Sequence, residues 1–170
     1  KISILKEMKF PHSVGLLYSA FTYYLGFTVN SGEYKLMGLA PYGNPNDAET
    51  DKFVKLIKSE IVDVKDDGSI WLNQKYFSYA TGLRMVDEKR WKNLFGIERR
   101  LPEDELVQKH CNLALAIQKV TEEIVIKMAL EAKRITNADN LCLAGGVALN
   151  CVANGKLLEE KIFKQIYIQP

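Results

Sequence analysis

A pair of glycines, Gly145-Gly146, stands where a predicted strand passes into a predicted helix. The apolar run NLCLA (residues 140–144) precedes the pair, and the helix is predicted from about Val147 to Glu159. Because glycine has no side chain, a ligand can lie directly against this backbone, where a helix start offers free N–H groups. The glycines also suit a tight turn with close helix–strand packing. They form neither the dinucleotide fingerprint G-x-G-x-x-G nor a phosphate loop ending in Gly-Lys-Ser/Thr.

Two asparagines follow in the predicted helix. Asn150 and Asn154 are four residues apart, so a helix would place them on one face. Asparagine is a poor residue for a helix interior because its side chain competes for backbone hydrogen bonds. Two roles remain open: an amide that reaches a hydroxyl or base of a ligand, or a hydrogen bond to solvent or to another helix.

A second polar cluster lies in the segment GEYKLMGLAPYGNP (residues 32–45), predicted as a short helix broken by prolines and glycines. Glu33 and Lys35 lie on different faces of a helix but close together in an irregular turn. A carboxylate can accept hydrogen bonds from ribose hydroxyls, an ammonium can neutralise a phosphate, and Gly38 permits close approach. The alternative is a surface ion pair that contributes little.

Other residues with reactive or metal-binding side chains are few. His110 lies on the apolar stripe of a long predicted helix and His12 stands at a helix start, and we interpret both as structural. Cys111, Cys142 and Cys151 show no C-x-x-C spacing, which argues against a metal site built from them and fits reduced thiols. No Ser/His/Asp or Cys/His arrangement indicates a nucleophile.

Short elements are predicted for the first part of the chain. Residues 12–27 repeat apolar side chains at helical spacing and predict a buried helix with Ser13 as its N-cap. Residues 46–61 predict an amphipathic helix with an acidic first turn, and a short helix is predicted near residues 87–95. Residues 62–79 contain β-rich runs around an Asp-Gly turn, which is typical of a β-hairpin.

The longest element is a helix predicted over residues 102–136. Its apolar stripe consists of Leu106, His110, Leu113, Ile117, Val120, Ile124, Met128 and Ile135. The strand NLCLA, the glycine turn, the next helix and the strand KQIYIQP (residues 164–170) then complete a β-turn-α-β unit. Such a unit predicts a parallel pair of strands with a right-handed crossover.

The composition excludes several classes of protein. Hydrophobic residues make up 47% and charged residues 26% of the chain, the balance of a soluble globular domain. A net charge of +2 gives no reason to expect nucleic acid or an anionic membrane as a partner. No apolar run approaches the roughly 18 residues that span a bilayer, and no signal peptide is visible, so we expect a cytoplasmic location.

Two phrases of the sequence together resemble the O-carbamoyltransferases of nodulation, cephamycin and tobramycin biosynthesis. The first phrase, over residues 10–45, contains EYKLMGLAPYG, and the second, LCLAGGVALNCVANGKL, occupies residues 141–157 and is followed by IYIQP. The first phrase with GGVALN downstream carries the resemblance, and the hairpin and long helix fall between them in the expected order.

The resemblance implies an α/β fold: part of a nucleotide-binding domain of the actin, Hsp70 and sugar-kinase type (ribonuclease-H-like), with a long helix and a β-hairpin. Such domains have two lobes around a nucleotide cleft and are related to the universal tRNA threonylcarbamoyl transferases. Residues 1–170 would be a fragment of one such domain. Residues 1–101 would supply first-lobe and connecting segments, and residues 102–170 the long helix and the start of the second lobe.

The resemblance also implies a reaction. Family members make carbamoyl adenylate from carbamoyl phosphate and ATP and pass the carbamoyl group to a hydroxyl of a sugar or secondary metabolite. By position, the nucleotide-binding residues would be Gly145, Gly146, Val147 and Asn150, with Glu33, Lys35 and Gly38 on the facing wall. Nucleic acid and membranes are not expected as partners, and the oligomeric state stays open.

The metal implied by the resemblance, Fe or Mg, would be held by residues that this chain lacks. The family uses histidines of an upstream motif and an aspartate that follows a strand like residues 164–170. We therefore expect a fragment with no catalytic residue of its own and no transferase activity in isolation. Two alternatives stay open: a tRNA threonylcarbamoyl-transferase-like enzyme, and a non-catalytic nucleotide-binding regulatory domain.

Overall fold

A long helix, Gln108–Thr136 (α5), forms the spine of the structure, a computed structural model that describes residues 3–169. The other helices are Val14–Tyr24 (α1), Glu33–Leu39 (α2), Ala48–Leu56 (α3), Glu88–Phe95 (α4) and Cys151–Glu159 (α6). The strands are Val62–Val64 (β1), Ile70–Leu72 (β2), Asn140–Ala144 (β3) and Gln165–Gln169 (β4). The predicted α/β class is therefore confirmed.

The first helix is held by an aromatic cluster. Phe21 and Tyr24 of α1 pack on the buried Trp91 of α4, with ring centroids 4.6 and 4.9 Å apart. The indole nitrogen of Trp91 donates a hydrogen bond of 2.9 Å to the carbonyl of Tyr76. Ser13 caps α1 by accepting from the amide of Leu16, as predicted. These contacts hold α1 in a fixed position against α4.

The predicted start of α5 at residue 102 is wrong, because the helix begins at Gln108. The buried guanidinium of Arg100 donates to the carbonyls of Pro102 and Asp104, at 3.1 and 2.6 Å, and takes both carbonyls out of helical hydrogen bonding. Leu106 therefore lies before the helix and is 45% exposed, rather than on the buried stripe.

The apolar stripe of α5 is buried only over its middle. The buried members are Leu113, Ile117, Val120 and Ile124. Ile135 lies near the end of the helix and is 37% exposed. Asn137, predicted to end the helix, is its C-cap in the left-handed conformation.

The predicted hairpin is confirmed, although its strands are shorter than residues 62–79. β1 and β2 pair antiparallel, with Val62 opposite Leu72. After β2 the chain turns into a 3-10 helix over Gln74–Tyr76, because the side chain of Asn73 accepts from the amide of Lys75 and caps that turn. The remaining residues up to 79 therefore leave the sheet.

The predicted β-turn-α-β unit is confirmed for the described residues. β3 and β4 pair in parallel, with Asn140 opposite Gln165, while Pro170 of the predicted strand lies outside the described part of the chain. The predicted helix start at Val147 is wrong: a 3-10 helix, Gly146–Leu149, comes first. α6 then begins because the side-chain oxygen of Asn150 accepts from the amide of Ala153, at 3.0 Å.

Candidate functional site

A cleft of about 640 Å³ opens between α1, α2 and the glycine turn that follows β3. Its α1 wall consists of Ser13, Val14, Gly15, Leu16, Tyr18 and Ser19. Its opposite wall consists of Asn30, Ser31, Glu33, Tyr34 and Met37, and Thr121 of α5 also lines it. Small-molecule sites occupy about 300–1,000 Å³, so the cleft has the size of one.

The glycine turn contributes Gly146, Val147, Leu149 and Asn150 to the cleft. Gly145 has φ of +92°, a left-handed conformation that favours glycine, which explains the first glycine of the pair as a turn residue. A Cβ atom added at Gly146 would meet no atom within 4 Å, so open space lies over this backbone. A Cβ added at Gly145 would also meet no atom within 4 Å, but Gly145 is not among the residues that line the cleft, whereas Gly146 is.

Glu33 lies at the start of α2 and its carboxylate is held in place at the cleft. It accepts hydrogen bonds from the hydroxyl of Ser19 at 2.6 Å and from the amides of Asn30 and Gly32 at 2.9 and 3.2 Å. Burial alone would raise the pKa of Glu33, but these hydrogen bonds outweigh it and hold the pKa below its usual value. The cleft therefore presents a fixed, ionised carboxylate that can accept from hydroxyl or amino groups.

Lys35 and Gly38 lie on α2 but are not among the residues that line this cleft. Lys35 is exposed, with its ammonium 6.0 Å from the ring centre of Tyr34. Gly38 is also exposed, and a Cβ added there would meet nothing within 4 Å. Glu33 and Lys35 are separated because the segment forms a regular helix, not the irregular turn that would bring them together. The structure therefore groups Glu33 with the glycine turn and leaves the other two residues apart from both.

Asn150 is the N-cap of α6, and its carbonyl accepts from the amide of Asn154 at 3.0 Å, so the two asparagines stand one helical turn apart. Both side chains are buried, and that of Asn154 donates 2.7 Å to the carbonyl of Ala148. Asn150 forms a reciprocal amide pair with Gln118 of α5, at 3.1 and 3.2 Å. Gln118 also accepts a 2.9 Å hydrogen bond from the hydroxyl of Tyr18.

Tyr18 and Gln118 are site residues that sequence reasoning missed. Both stand at helical positions that fit a buried apolar face, and a polar group on such a face gives no signal of its own until its partners are known. The only available signal was Gln118 itself, a polar residue between Ile117 and Val120 on the most buried part of α5. Buried side-chain amides are nearly always hydrogen-bonded, so such a residue marks a partner elsewhere.

The two histidines have structural partners, in agreement with their predicted roles. Nδ1 of His12 accepts from the amide of Leu72 at 3.0 Å, and its ring stacks 3.8 Å from that of Trp71. Nδ1 of His110 accepts from the amide of Val107 at 3.1 Å, and burial lowers its pKa. The three cysteines are free. Residues 3–169 contain no group of three or more His, Cys, Asp or Glu placed to hold one metal ion.

Known sequences match the chain from end to end. The family described as "Carbamoyltransferase N-terminus" matches residues 1–170. The chain belongs to this family. The resemblance inferred from EYKLMGLAPYG and GGVALN is thereby confirmed.

Three similar proteins are all much longer than this chain. Uncharacterized protein sll1178 of Synechocystis sp. is 57% identical over 164 residues, which are 96% of this chain and 26% of that protein. Nodulation protein NolO of Bradyrhizobium diazoefficiens is 32% identical over 98% of this chain and 27% of its own length. Nodulation protein NolNO of Sinorhizobium fredii is 36% identical over 95% of this chain and 21% of its own length. The chain therefore spans only about a quarter of the length of these relatives.

None of the helices described between residues 3 and 169 has the length and apolar character needed to cross a membrane.

Proposed function

We propose that the chain forms part of the ATP site of an O-carbamoyltransferase. The enzyme would transfer a carbamoyl group from carbamoyl phosphate, by way of carbamoyl adenylate made with ATP, to a hydroxyl of a sugar or secondary metabolite. Membership of the carbamoyltransferase family supports the reaction class. The observation that carries the ATP assignment is the cleft itself, where the glycine turn and the carboxylate of Glu33 line the same space of about 640 Å³.

Each wall of the cleft would bind a different part of the nucleotide. The fixed carboxylate of Glu33 accepts from ribose hydroxyls, which are donors of the kind it can bind. Gly146 lets the nucleotide lie on the backbone, since no side chain fills the space above it. Val147 offers a half-buried apolar surface for the base. Lys35 and Gly38 do not line the cleft, and we propose that they bind the phosphate end of the nucleotide.

The wider fold forms part of the same proposal. The parallel β3–β4 pair joined through α6 supports a domain of the actin, Hsp70 and sugar-kinase type. We propose that residues 1–101 and 102–170 belong to its two lobes. A divalent metal would stabilise charge on phosphate and carbonyl oxygens. Residues 3–169 offer no ligand set for such a metal.

The ATP assignment is tested with Gly146→Val in the full-length protein. The valine side chain would occupy the space against which the nucleotide lies, so we expect ATP affinity to fall at least about 10-fold by calorimetric titration. The matched control is Gly155→Val in α6, where an added Cβ also meets nothing within 4 Å but which does not line the cleft. Unchanged ATP affinity in Gly146→Val would contradict the proposal.

The reaction is tested separately, by pyrophosphate release from ATP. Formation of carbamoyl adenylate requires water to cleave carbamoyl phosphate to carbamate and orthophosphate, after which a carbamate oxygen displaces pyrophosphate from the α-phosphate of ATP. Pyrophosphate release should therefore depend on carbamoyl phosphate, and transfer to the acceptor hydroxyl, with AMP as the leaving group, should give a carbamoylated product detectable by mass spectrometry. ATP binding without either product would favour the regulatory alternative over the enzyme.

A further inference from the structure

Tyr18 and Asn150, which line the cleft, belong to a chain of hydrogen bonds whose direction can be assigned from its ends. At one end, the backbone amide of Ala153 donates to the side chain of Asn150 at 3.0 Å, so the atom facing Ala153 is the amide oxygen. The other polar atom of Asn150 is then its nitrogen, which donates to Oε1 of Gln118 at 3.1 Å. The α6 cap therefore fixes the orientation of the Asn150 amide.

Glu122 fixes the same direction from the other end. A carboxylate only accepts hydrogen bonds, and Oε1 of Glu122 lies 2.9 Å from the side-chain nitrogen of Gln118. That nitrogen also donates to the oxygen of Asn150, at 3.2 Å. The amide of Gln118 is 2% exposed and cannot be reversed without placing two acceptors against each other at both contacts.

Tyr18 must therefore donate its proton to this chain. Its hydroxyl lies 2.9 Å from Oε1 of Gln118, which has no proton to give. Burial raises the pKa of Tyr18, so the hydroxyl keeps its proton at neutral pH. With that proton committed, the oxygen of Tyr18 can only accept hydrogen bonds, and the amide of Asn150 is one donor to it. Its remaining lone pair is left for a donor group of a ligand in the cleft that Tyr18 lines.

We propose that Tyr18 is a second hydrogen-bond acceptor of the cleft, which receives an N–H or O–H group of the nucleotide, and that Gln118 is the positioning residue that sets this polarity. The inference rests on the proposed ATP site. It differs from the role of Glu33, because Tyr18 accepts as a neutral group at the α1 wall. The cleft would then select ligands that carry a hydrogen-bond donor facing the oxygen of Tyr18.

The test combines Tyr18→Phe with nucleotides that each lack one donor, using the full-length protein. The analogues are ITP, without the 6-amino group, 2′-deoxyATP and 3′-deoxyATP. We expect Tyr18→Phe to weaken ATP binding about 5- to 10-fold, as for loss of one buried hydrogen bond. For one analogue the variant should bind as well as the wild type, because the donor that Tyr18 receives is already missing.

Gln118 is tested against Asn112, another buried side-chain amide of α5. Asn112 accepts from the amide of Asn44 at 2.9 Å and donates to Asp47 at 3.0 Å, away from the cleft. Both Gln118→Leu and Asn112→Leu should lower thermal stability. Only Gln118→Leu should reduce the discrimination between ATP and the analogue identified with Tyr18→Phe.

Three outcomes would overturn the inference. If the wild type does not bind ATP, the proposed function and this inference both fail. If the wild type binds ATP but Tyr18→Phe binds it equally well, only this inference fails. If Tyr18→Phe weakens ATP and all three analogues by the same factor, the residue is merely structural and the acceptor role is wrong.

Discussion

Two oxygen acceptors with different charges flank one cleft, and their surroundings explain the difference. Glu33 is surrounded by donors, the hydroxyl of Ser19 and two backbone amides, which stabilise its ionised form. Tyr18 instead faces the oxygen of Gln118 and is desolvated, which stabilises its protonated form. The cleft thus places a charged and a neutral acceptor on separate walls, so it can hold donors at two positions of one ligand.

At the residue scale, the pKa of Glu33 predicts a pH-dependent contribution to stability. Its folded-state pKa lies below the ordinary value of 4.5, so its carboxylate stabilises the fold above that pH and this stability is lost as the pH falls through the folded-state pKa. We expect Glu33→Gln to lower the free energy of unfolding by about 1 kcal/mol at pH 7, a value reduced for solvent screening. Urea titrations at pH 7 and pH 3 should show the deficit shrinking at pH 3.

Ser19→Ala provides the control for this prediction. Removal of the hydroxyl donor should raise the pKa of Glu33 toward its ordinary value and reduce the pH-dependent component. A deficit in Glu33→Gln that is equal at pH 7 and pH 3 would show that the carboxylate charge contributes nothing to stability.

At the element scale, the β1–β2 hairpin is tied to α5 through its turn. Gly68, in the predicted Asp-Gly turn, has φ of +79°. A Cβ atom there would overlap the backbone nitrogen of Met128 and lie 2.8 Å from its Cα. The turn backbone therefore packs directly on the backbone of α5, which cannot move aside as a flexible side chain could.

Gly68→Ala is therefore expected to be more destabilising than the same change at another left-handed glycine. Gly96, the C-cap of α4, has φ of +66°, but an added Cβ would meet only the ammonium of Lys109, at 3.5 Å. We expect about 1 kcal/mol for Gly96→Ala, from backbone strain alone, and about 2–4 kcal/mol for Gly68→Ala, from strain plus overlap. Equal changes in the free energy of unfolding would mean that the hairpin does not pack on α5 as described.

Element positions followed from sequence periodicity, whereas element boundaries depended on individual hydrogen bonds between side chains and nearby backbone groups. The buried helix over residues 12–27, the hairpin and the parallel unit were all predicted from local patterns. The start of α5 was not, because it depends on Arg100 reaching carbonyls in the next turn of the chain. The site was predicted in part for a different reason: the glycines and Glu33 have local signals, but the Tyr18–Gln118 contact joins residues 100 positions apart.

At the scale of the whole molecule, α5 connects two hydrophobic clusters of unequal size. The large cluster contains α1, α4 and the middle of α5, with Trp91 and Ile117 fully buried. The small cluster lies under the β3–β4 sheet and is formed by the buried residues Ala129, Leu157 and Phe163. The glycine turn follows β3, and the α1 wall belongs to the large cluster, so the cleft lies where the two regions meet. The width of the cleft therefore depends on the stability of the small cluster, which holds the β3–α6–β4 region in place.

The β3–α6–β4 region should open independently of the large cluster. Few buried apolar contacts hold it, and such regions exchange their amide hydrogens through local unfolding at lower free energy than the core. We expect slower exchange for amides of Leu113–Val120 in α5 than for those of Leu141–Leu143 in β3.

The variant Leu157→Ala removes a fully buried side chain of the small cluster and should cost about 2–5 kcal/mol of local stability. It should accelerate amide exchange in β3 and leave exchange in Leu113–Val120 of α5 unchanged. Ile117→Val in the large cluster should instead accelerate the slowest amides of both regions, because those exchange only on global unfolding. If Leu157→Ala accelerated exchange equally in β3 and α5, the two clusters would form one cooperative unit. The cleft would then be a rigid groove, and its width would not depend on local opening of the β3–α6–β4 region.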